Sequence, residues 1–292
     1  MSLGTKVVKT IFNMSDKARD RGVKSESGIL CYKNLRYKSD PERMLWVWHK
    51  EDVSSRMPVI VVVHGGGYVY GSPQVYQYYC ERLALSGFIV VCFDYGLAPK
   101  YIFPTPLIDL NDTLTWMIEN VETFPFDIGN VFLVGDSAGA QIASQYAALY
   151  SNPDYAEIME ITPPPFKLAG LGLNCGMYDI TGDILLSKGF TKTISEAYFT
   201  KEALKRFGEK LNVMKYISSR FPPTFLFSAN GDFFLNKLEP MFNILQARGV
   251  RSESKIYGDK NTAHVFHLNV KSELASKANS DELEFFKKQI IT

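Results

Sequence analysis

The stretch Val131-Phe132-Leu133-Val134-Gly135-Asp136-Ser137-Ala138-Gly139 constrains this chain more than any other. Its first four residues read as a short buried strand, bounded by Asn130 before and Gly135 after. Residues 140–150 follow, Ala-rich and free of helix breakers. A serine between two glycines at a strand-to-helix handover is the G-x-S-x-G nucleophile elbow. The turn forces strained angles on Ser137 and lifts its hydroxyl clear of the sheet. Glycine is required on either side because a side chain there meets the neighbouring strand and helix. At the helix N-terminus, the amide of Ala138 points toward whatever Ser137 attacks.

Around the elbow the chain alternates apolar runs with helical stretches. Val59-Ile60-Val61-Val62-Val63 is β-branched without interruption, the mark of a strand covered on both faces in a parallel sheet. Runs 87–93, 131–134, 168–174, 224–229 and 254–257 repeat this character, with helical stretches at 75–86, 107–122 and 140–150. Ahead of them, 29–37 and 44–49 read as a hairpin with Trp46 and Trp48 on one face, and His49 at its surface or edge. Residues 5–20 read as an amphipathic helix, with Val7, Val8, Ile11, Phe12 and Met14 to one side. The alternation predicts a doubly wound α/β sheet, mostly parallel, with helices on both faces, in one domain spanning 1–292. From about 177 to 216 the rhythm fails, leaving only helical stretches rich in aromatics such as Phe190, Tyr198, Phe199 and Phe207. Such an insertion after a strand's C-terminal end sits over the ligand face of the sheet. Together with about 1–25 it is expected to form a small helical cap.

Composition narrows the partners. A net charge of +1 with no basic stripe argues against nucleic acid. The four cysteines, Cys31, Cys80, Cys92 and Cys175, lie far apart without a C-x-x-C pair. They read as small buried hydrophobes in a reducing compartment, not as disulfides or zinc ligands. No apolar run reaches the length of a membrane span. Met1-Ser2-Leu3-Gly4 opens no secretory signal and resembles an expression scar. A soluble cytoplasmic protein without metal or cofactor is the expectation. An exposed C-terminal edge strand offers a homodimer contact, which the sequence alone does not establish.

Ser137 needs a base and an acid to orient it. Only four histidines exist, and His49 and His64 precede the elbow. Where this elbow occurs, the order along the chain is serine, acid, histidine. His264, in the loop after the last strand, fits best as base, with His267 as its alternative. The acid should follow strand 224–229, where Asp232 lies; Asp259 is its competitor. His64-Gly65-Gly66-Gly67-Tyr68 directly follows strand 59–63. Consecutive glycines let backbone N–H groups turn into a pocket and meet a developing alkoxide together with Ala138. No lysine follows them, as a P-loop requires, and no G-x-G-x-x-G is present.

At this point the sequence resembles the hormone-sensitive-lipase-like branch of the α/β-hydrolases. The matching residues are His64-Gly65-Gly66-Gly67-Tyr68, Gly135-Asp136-Ser137-Ala138-Gly139, Asp232 and His264, with Asp94-Tyr95-Gly96-Leu97-Ala98-Pro99 and Phe103-Pro104. The resemblance covers most of the chain from about residue 45. It implies an α/β-hydrolase fold, an oxyanion hole from the amides of Gly66, Gly67 and Ala138, and a cap from the segments named above. Three positions depart from the family pattern: Gly96 replaces an arginine, Asn236 an aspartate, and Val265 a glycine. The expected activity is carboxylic-ester hydrolysis on small to medium acyl groups, with Ser137 as nucleophile, His264 as base and Asp232 as orienting acid. Tyr68, Tyr70 and Tyr178 are the pocket candidates. Two alternatives stand beside it: an arylformamide or small-amide hydrolase using the same residues, and a non-catalytic ligand-binding protein on the same fold.

Overall fold

The β-branched and aromatic runs pair into a single sheet, and the helices between them cover both of its faces. The computed structural model describes residues 3–180, 182 and 188–291. Residues 1–2, 181 and 183–187 of the two expected cap segments therefore lie outside the described residues, as does the side chain of Phe190. Helix α1 (Leu3–Arg19) precedes β1 (Ile29–Arg36) and β2 (Met44–Lys50). Next come β3 (Met57–Val63), α2 (Pro73–Leu85), β4 (Ile89–Phe93), α3 (Thr105–Glu119), β5 (Phe126–Asp136), α4 (Ala138–Ser151), α5 (Pro153–Met159) and β6 (Leu168–Asn174). After these lie α6 (Gly189–Tyr198), α7 (Lys201–Phe207), β7 (Thr224–Ala229), α8 (Leu235–Ala247), β8 (Ser252–Tyr257) and α9 (Glu273–Lys287).

The strand order is β1-β2-β4-β3-β5-β6-β7-β8. From β4 to β8 all neighbours are parallel, while β1 and β2 pair antiparallel. Alternation along the central strands decides which layer each side chain joins. Val59, Val61 and Val63 face the layer of α3, α4 and α8, whereas Ile60 and Val62 face α2 and α9. Both sets are fully buried, which is why these runs show no polar alternation.

Several expectations need correction. His49 is buried rather than at the surface, because β1 lies outside β2 and Tyr32 stacks on its ring. The apolar residues of α1 do not share one face. Thr5 and Val8 are buried, but Val7, Ile11 and Met14 are 50, 53 and 67% exposed, since adjacent residues of a helix point about 100° apart. Strand β5 starts at Phe126 and not at Val131, because Phe126 and Asp127 pair with Met57 and Pro58. After β8 the chain turns α-helical again at α9, where the Ser272 side chain accepts from the Ala275 N–H. At Gly96 a Cβ would meet Arg43 and Tyr101. Arg43 pairs with Asp109 at 2.9 Å, and Asp109 accepts from the Gly96 N–H at 2.8 Å. Among the described residues no helix is long and apolar enough to cross a membrane.

Candidate active site

The C-terminal ends of β3, β5, β6 and β7 converge on one cavity of about 450 Å³. Ser137, between β5 and α4, has φ 53 and ψ −116, a left-handed conformation that costs a non-glycine residue of order 1–3 kcal/mol. Its N–H donates to the Asn174 carbonyl at 2.9 Å, which anchors the turn to β6. The flanking glycines have direct steric reasons. A Cβ at Gly135 would meet the Gly139 carbonyl, and one at Gly139 would meet the Val63 and His64 carbonyls.

Gly65, Gly66 and Gly67 line the cavity together with Ser137 and Ala138. The glycine loop is held from below by Tyr76 of α2. The Tyr76 hydroxyl accepts from the Gly65 N–H at 2.8 Å and donates to the Asp136 carboxylate, whose oxygens lie at 2.8 and 2.9 Å. Asp136 is fully buried, and burial raises its carboxyl to about 6, with the Tyr76 hydrogen bond opposing. One phenol thus ties the serine's neighbour to the glycine loop. His64 stays outside the cavity: it stacks on Tyr95 at 4.0 Å, its Nδ1 lies 2.8 Å from the Gly65 carbonyl, and burial lowers it to about 4.

Asp232 and His264 meet across the ends of β7 and β8. His264 Nδ1 lies 2.8 Å from Asp232 Oδ1. Asp232 also accepts from the Ser228 hydroxyl at 2.8 Å and the Phe234 N–H at 2.9 Å. Burial alone would raise this carboxyl, but His264, Phe234 and Ser228 outweigh it and hold the group at about 2. An ionised carboxylate only accepts, so it is the Nδ1–H of His264 that donates to Asp232. The Nε2 is buried and makes no hydrogen bond among the described residues, while the ring lines the cavity with Ser137. Phe233 is 66% exposed and lies against the ring at 4.2 Å.

The two competitors are placed elsewhere. His267 is buried among Tyr79 and Phe227, away from the cavity wall, and burial lowers it to about 3. Asp259 is exposed and accepts from the Asn261 N–H in its own turn. Of the pocket candidates, Tyr68 and Tyr70 line the cavity. Tyr178 does not. Its ring lies over Gly176, which has no Cβ to exclude it, and Met177 takes the wall position instead.

Tyr76 and the α1 wall residues Phe12, Ser15 and Asp16 escaped the sequence reading, as did Thr191, Ile194 and Ser195 of α6. A tyrosine inside an ordinary helix gives no sign that its hydroxyl reaches two loops. For α1 the apolar pattern was visible, but not which side of the helix faces the cavity. One group among the described residues has a metal-ligand donor set: Cys175, Asp232 and His264 each place one donor atom within 4.8 Å of the others.

A family model described as the alpha/beta hydrolase fold matches residues 60–268. Esterase LipC of Mycobacterium tuberculosis is 32% identical over 127 residues, covering 42% of this chain and 32% of that protein. Esterase LipQ of the same organism is 24% identical over 256 residues, covering 83% and 59%. The chain thus spans about a third to three fifths of the length of these curated relatives. Esterase B of Lactobacillus rhamnosis, solved inhibited by a C4-C4 tributyrin phosphonate, superposes with a TM-score of 0.86. The identity there is 21%, over 98% of this chain and 94% of that one.

Proposed function

The chain belongs to the alpha/beta-hydrolase family, and from that premise we propose that it is a serine hydrolase of carboxylic esters. The observation that carries this reading is the shared cavity. A left-handed Ser137, the glycine loop with Ala138, and a histidine fixed to an ionised carboxylate all face one space.

In the mechanism, Ser137 Oγ attacks the ester carbonyl while His264 Nε2 takes its proton. The amides of Gly66, Gly67 and Ala138 receive the oxyanion, each such donor being worth about 3–4 kcal/mol in the transition state. Asp232 holds the Nδ1–H tautomer and stabilises the imidazolium that forms. His264 then returns the proton to the departing alcohol, and water repeats the cycle on the acyl-enzyme. Helix α1 and the segment 177–216 act as the cap, within one domain. In support, Phe12, Ser15 and Asp16 lie on one side of the cavity, and Thr191, Ile194 and Ser195 on another. A cavity of about 450 Å³ suits small to medium acyl groups. The relatives' names, two of them esterases, agree with this chemistry.

A p-nitrophenyl ester series of increasing acyl length, run on wild type and Ser137→Ala, tests the reading. Hydrolysis should peak at short chains and vanish with the serine. Undiminished hydrolysis by Ser137→Ala would falsify it, and faster turnover of matched aryl formamides would move the assignment to amides.

A further inference from the structure

Cys175 does more than fill space. It directly follows β6 at φ 51, and its thiol is fully buried. Its Sγ sits against the Asp232 carboxylate and the Val265 N–H, directly behind the His264–Asp232 pair. Sγ, an Asp232 oxygen and a His264 nitrogen lie within 4.8 Å of one another. The His264 nitrogen that faces Asp232 is Nδ1, at 2.8 Å.

We propose that Cys175, Asp232 and His264 form an inhibitory site for a thiophilic divalent cation, of the zinc and cadmium class. The donor set is one thiolate, one carboxylate and one imidazole, the mixture such cations prefer. Zinc bonds of about 2.0–2.3 Å to nitrogen, oxygen and sulfur put ligand atoms roughly 3–4 Å apart in a tetrahedron. The present spacing reaches that with small side-chain shifts. The outer partners suit a bound cation as well. Ser228 and Phe234 already hydrogen-bond Asp232. Burial and the Asp232 charge push the Cys175 thiol up, against the Val265 N–H that faces the sulfur, so the thiolate forms only as the cation binds.

The proton balance explains the inhibition. On binding, the thiol proton leaves to solvent and sulfur bonds the cation as thiolate. Nδ1 gives its lone pair to the cation, and the ring proton moves to Nε2, so one proton is released for each cation bound. A histidine protonated at Nε2 accepts nothing from Ser137. The cation locks the imidazole in the wrong tautomer, and the Asp232 contact that directs catalysis is the bond it replaces.

This inference rests on the proposed ester-hydrolase mechanism only for its inhibitory effect; binding is measured apart from activity. Wild type should lose p-nitrophenyl butyrate hydrolysis on addition of Zn²⁺ and recover it with EDTA. One equivalent of Cd²⁺ should raise a thiolate-to-cadmium absorption band in the ultraviolet. In Cys175→Ala the band should vanish, and the half-inhibitory Zn²⁺ concentration should rise by at least about tenfold. Cys175→Gly suits the left-handed backbone and serves if the alanine variant does not fold. Cys31→Ala should keep the band, and so should Ser137→Ala, which has no ester hydrolysis to lose. A wild type without the band, or a Cys175 variant with unchanged zinc sensitivity, overturns the site. Retention of the band in a wild-type protein that hydrolyses no ester supports the site and sinks the functional reading instead.

Discussion

The cavity has two walls of different construction. One is made of strand ends: the glycine loop after β3, the elbow after β5, and the loops carrying Asp232 and His264. Each of its groups is fixed by a named polar bond, such as Gly65 to Tyr76, Ser137 to Asn174, or Asp232 to Ser228. The other wall is helical, built from Phe12, Ser15 and Asp16 of α1 and Thr191, Ile194 and Ser195 of α6. There Lys192 pairs with Glu196 on its own helix, and α1 is tied to the strand-end side by few polar bonds, Arg19 to the Val75 carbonyl at 2.9 Å and Asp16 to Tyr70. The contrast separates two demands. Chemistry needs atoms held to a fraction of an ångström, and recognition of an acyl group needs only a fitting apolar surface.

If that division is right, single changes on the two walls differ in kind. Asp232→Asn keeps the shape of the acid but leaves His264 free to take the wrong tautomer, and kcat should fall about 10⁴-fold. On the helical wall, Ile194→Ala removes apolar contact alone and should act on KM for longer acyl chains by about tenfold or less. Steady-state kinetics on both variants with the same ester series decides. A large kcat loss in Ile194→Ala, or a small one in Asp232→Asn, erases the distinction between the walls.

The strand-end wall rests on a buried carboxyl that the helical wall lacks. Glu282 of α9 lies where a Cβ on Gly172 of β6 would be, and is fully buried. Burial raises it to about 8 from an ordinary 4.5, with Asn174 opposing. Between those values the native state keeps a proton that the unfolded chain has lost, so stability falls as pH rises from roughly 4.5 to 8. Glu282→Gln removes this dependence. Its melting temperature should approach that of wild type near pH 5 and exceed it increasingly toward pH 8, by the equivalent of a few kcal/mol at most. A constant difference across that range would show that Glu282 does not titrate there. On the segment behind the helical wall, Lys215 and Glu209 form an exposed pair. Removing it should leave the pH profile of stability unchanged.

Tyr76→Phe examines how the strand-end wall is aligned. It deletes the acceptor for the Gly65 N–H and the donor to Asp136 together, without altering the cavity surface much. Loss of a hydrogen bond to a charged group costs about 1.5–3 kcal/mol. The expected result is a kcat lower by about 10–100-fold with KM little changed, and Tyr76→His giving partial recovery. An equal fall in melting temperature with normal kcat would make Tyr76 a packing residue and nothing more.

The same division explains what the sequence made legible. Gly135, Gly139 and the three glycines after His64 were readable because each position tolerates no side chain, a constraint that local sequence expresses directly. The order of Ser137, Asp232 and His264 was readable because it follows the order of the strands. Tyr76 was not, since the partners of its hydroxyl lie 11 and 60 residues away. Tyr178 reads from sequence as a pocket candidate, but its ring lies over Gly176 and Met177 takes the wall position. The apolar residues of α1 told of a helix and left its rotation open, and Val7, Ile11 and Met14 turned outward. Patterns of short range survive the passage to structure; contacts between distant elements leave no local mark.

The smallest expected effect concerns Val265, which stands where the family pattern has a glycine. Val265, next to His264, has φ 52 and ψ 32, a region that β-branched residues avoid. Val265 also lines the cavity, so replacing it removes contact as well as strain. Comparing two replacements separates these effects. Alanine and glycine both delete the isopropyl group, but only glycine accepts the left-handed angles freely. At an ordinary helix or strand position glycine is less stable than alanine by about 0.5–1 kcal/mol. Here the order should invert, with Val265→Gly melting above Val265→Ala by an amount equivalent to about 0.5–1 kcal/mol. Since the loop that holds His264 would then be relaxed, kcat of the glycine variant should match or exceed that of the alanine variant. If alanine is instead the more stable, the backbone at 265 is not left-handed in solution, and the loop beside His264 carries no stored strain.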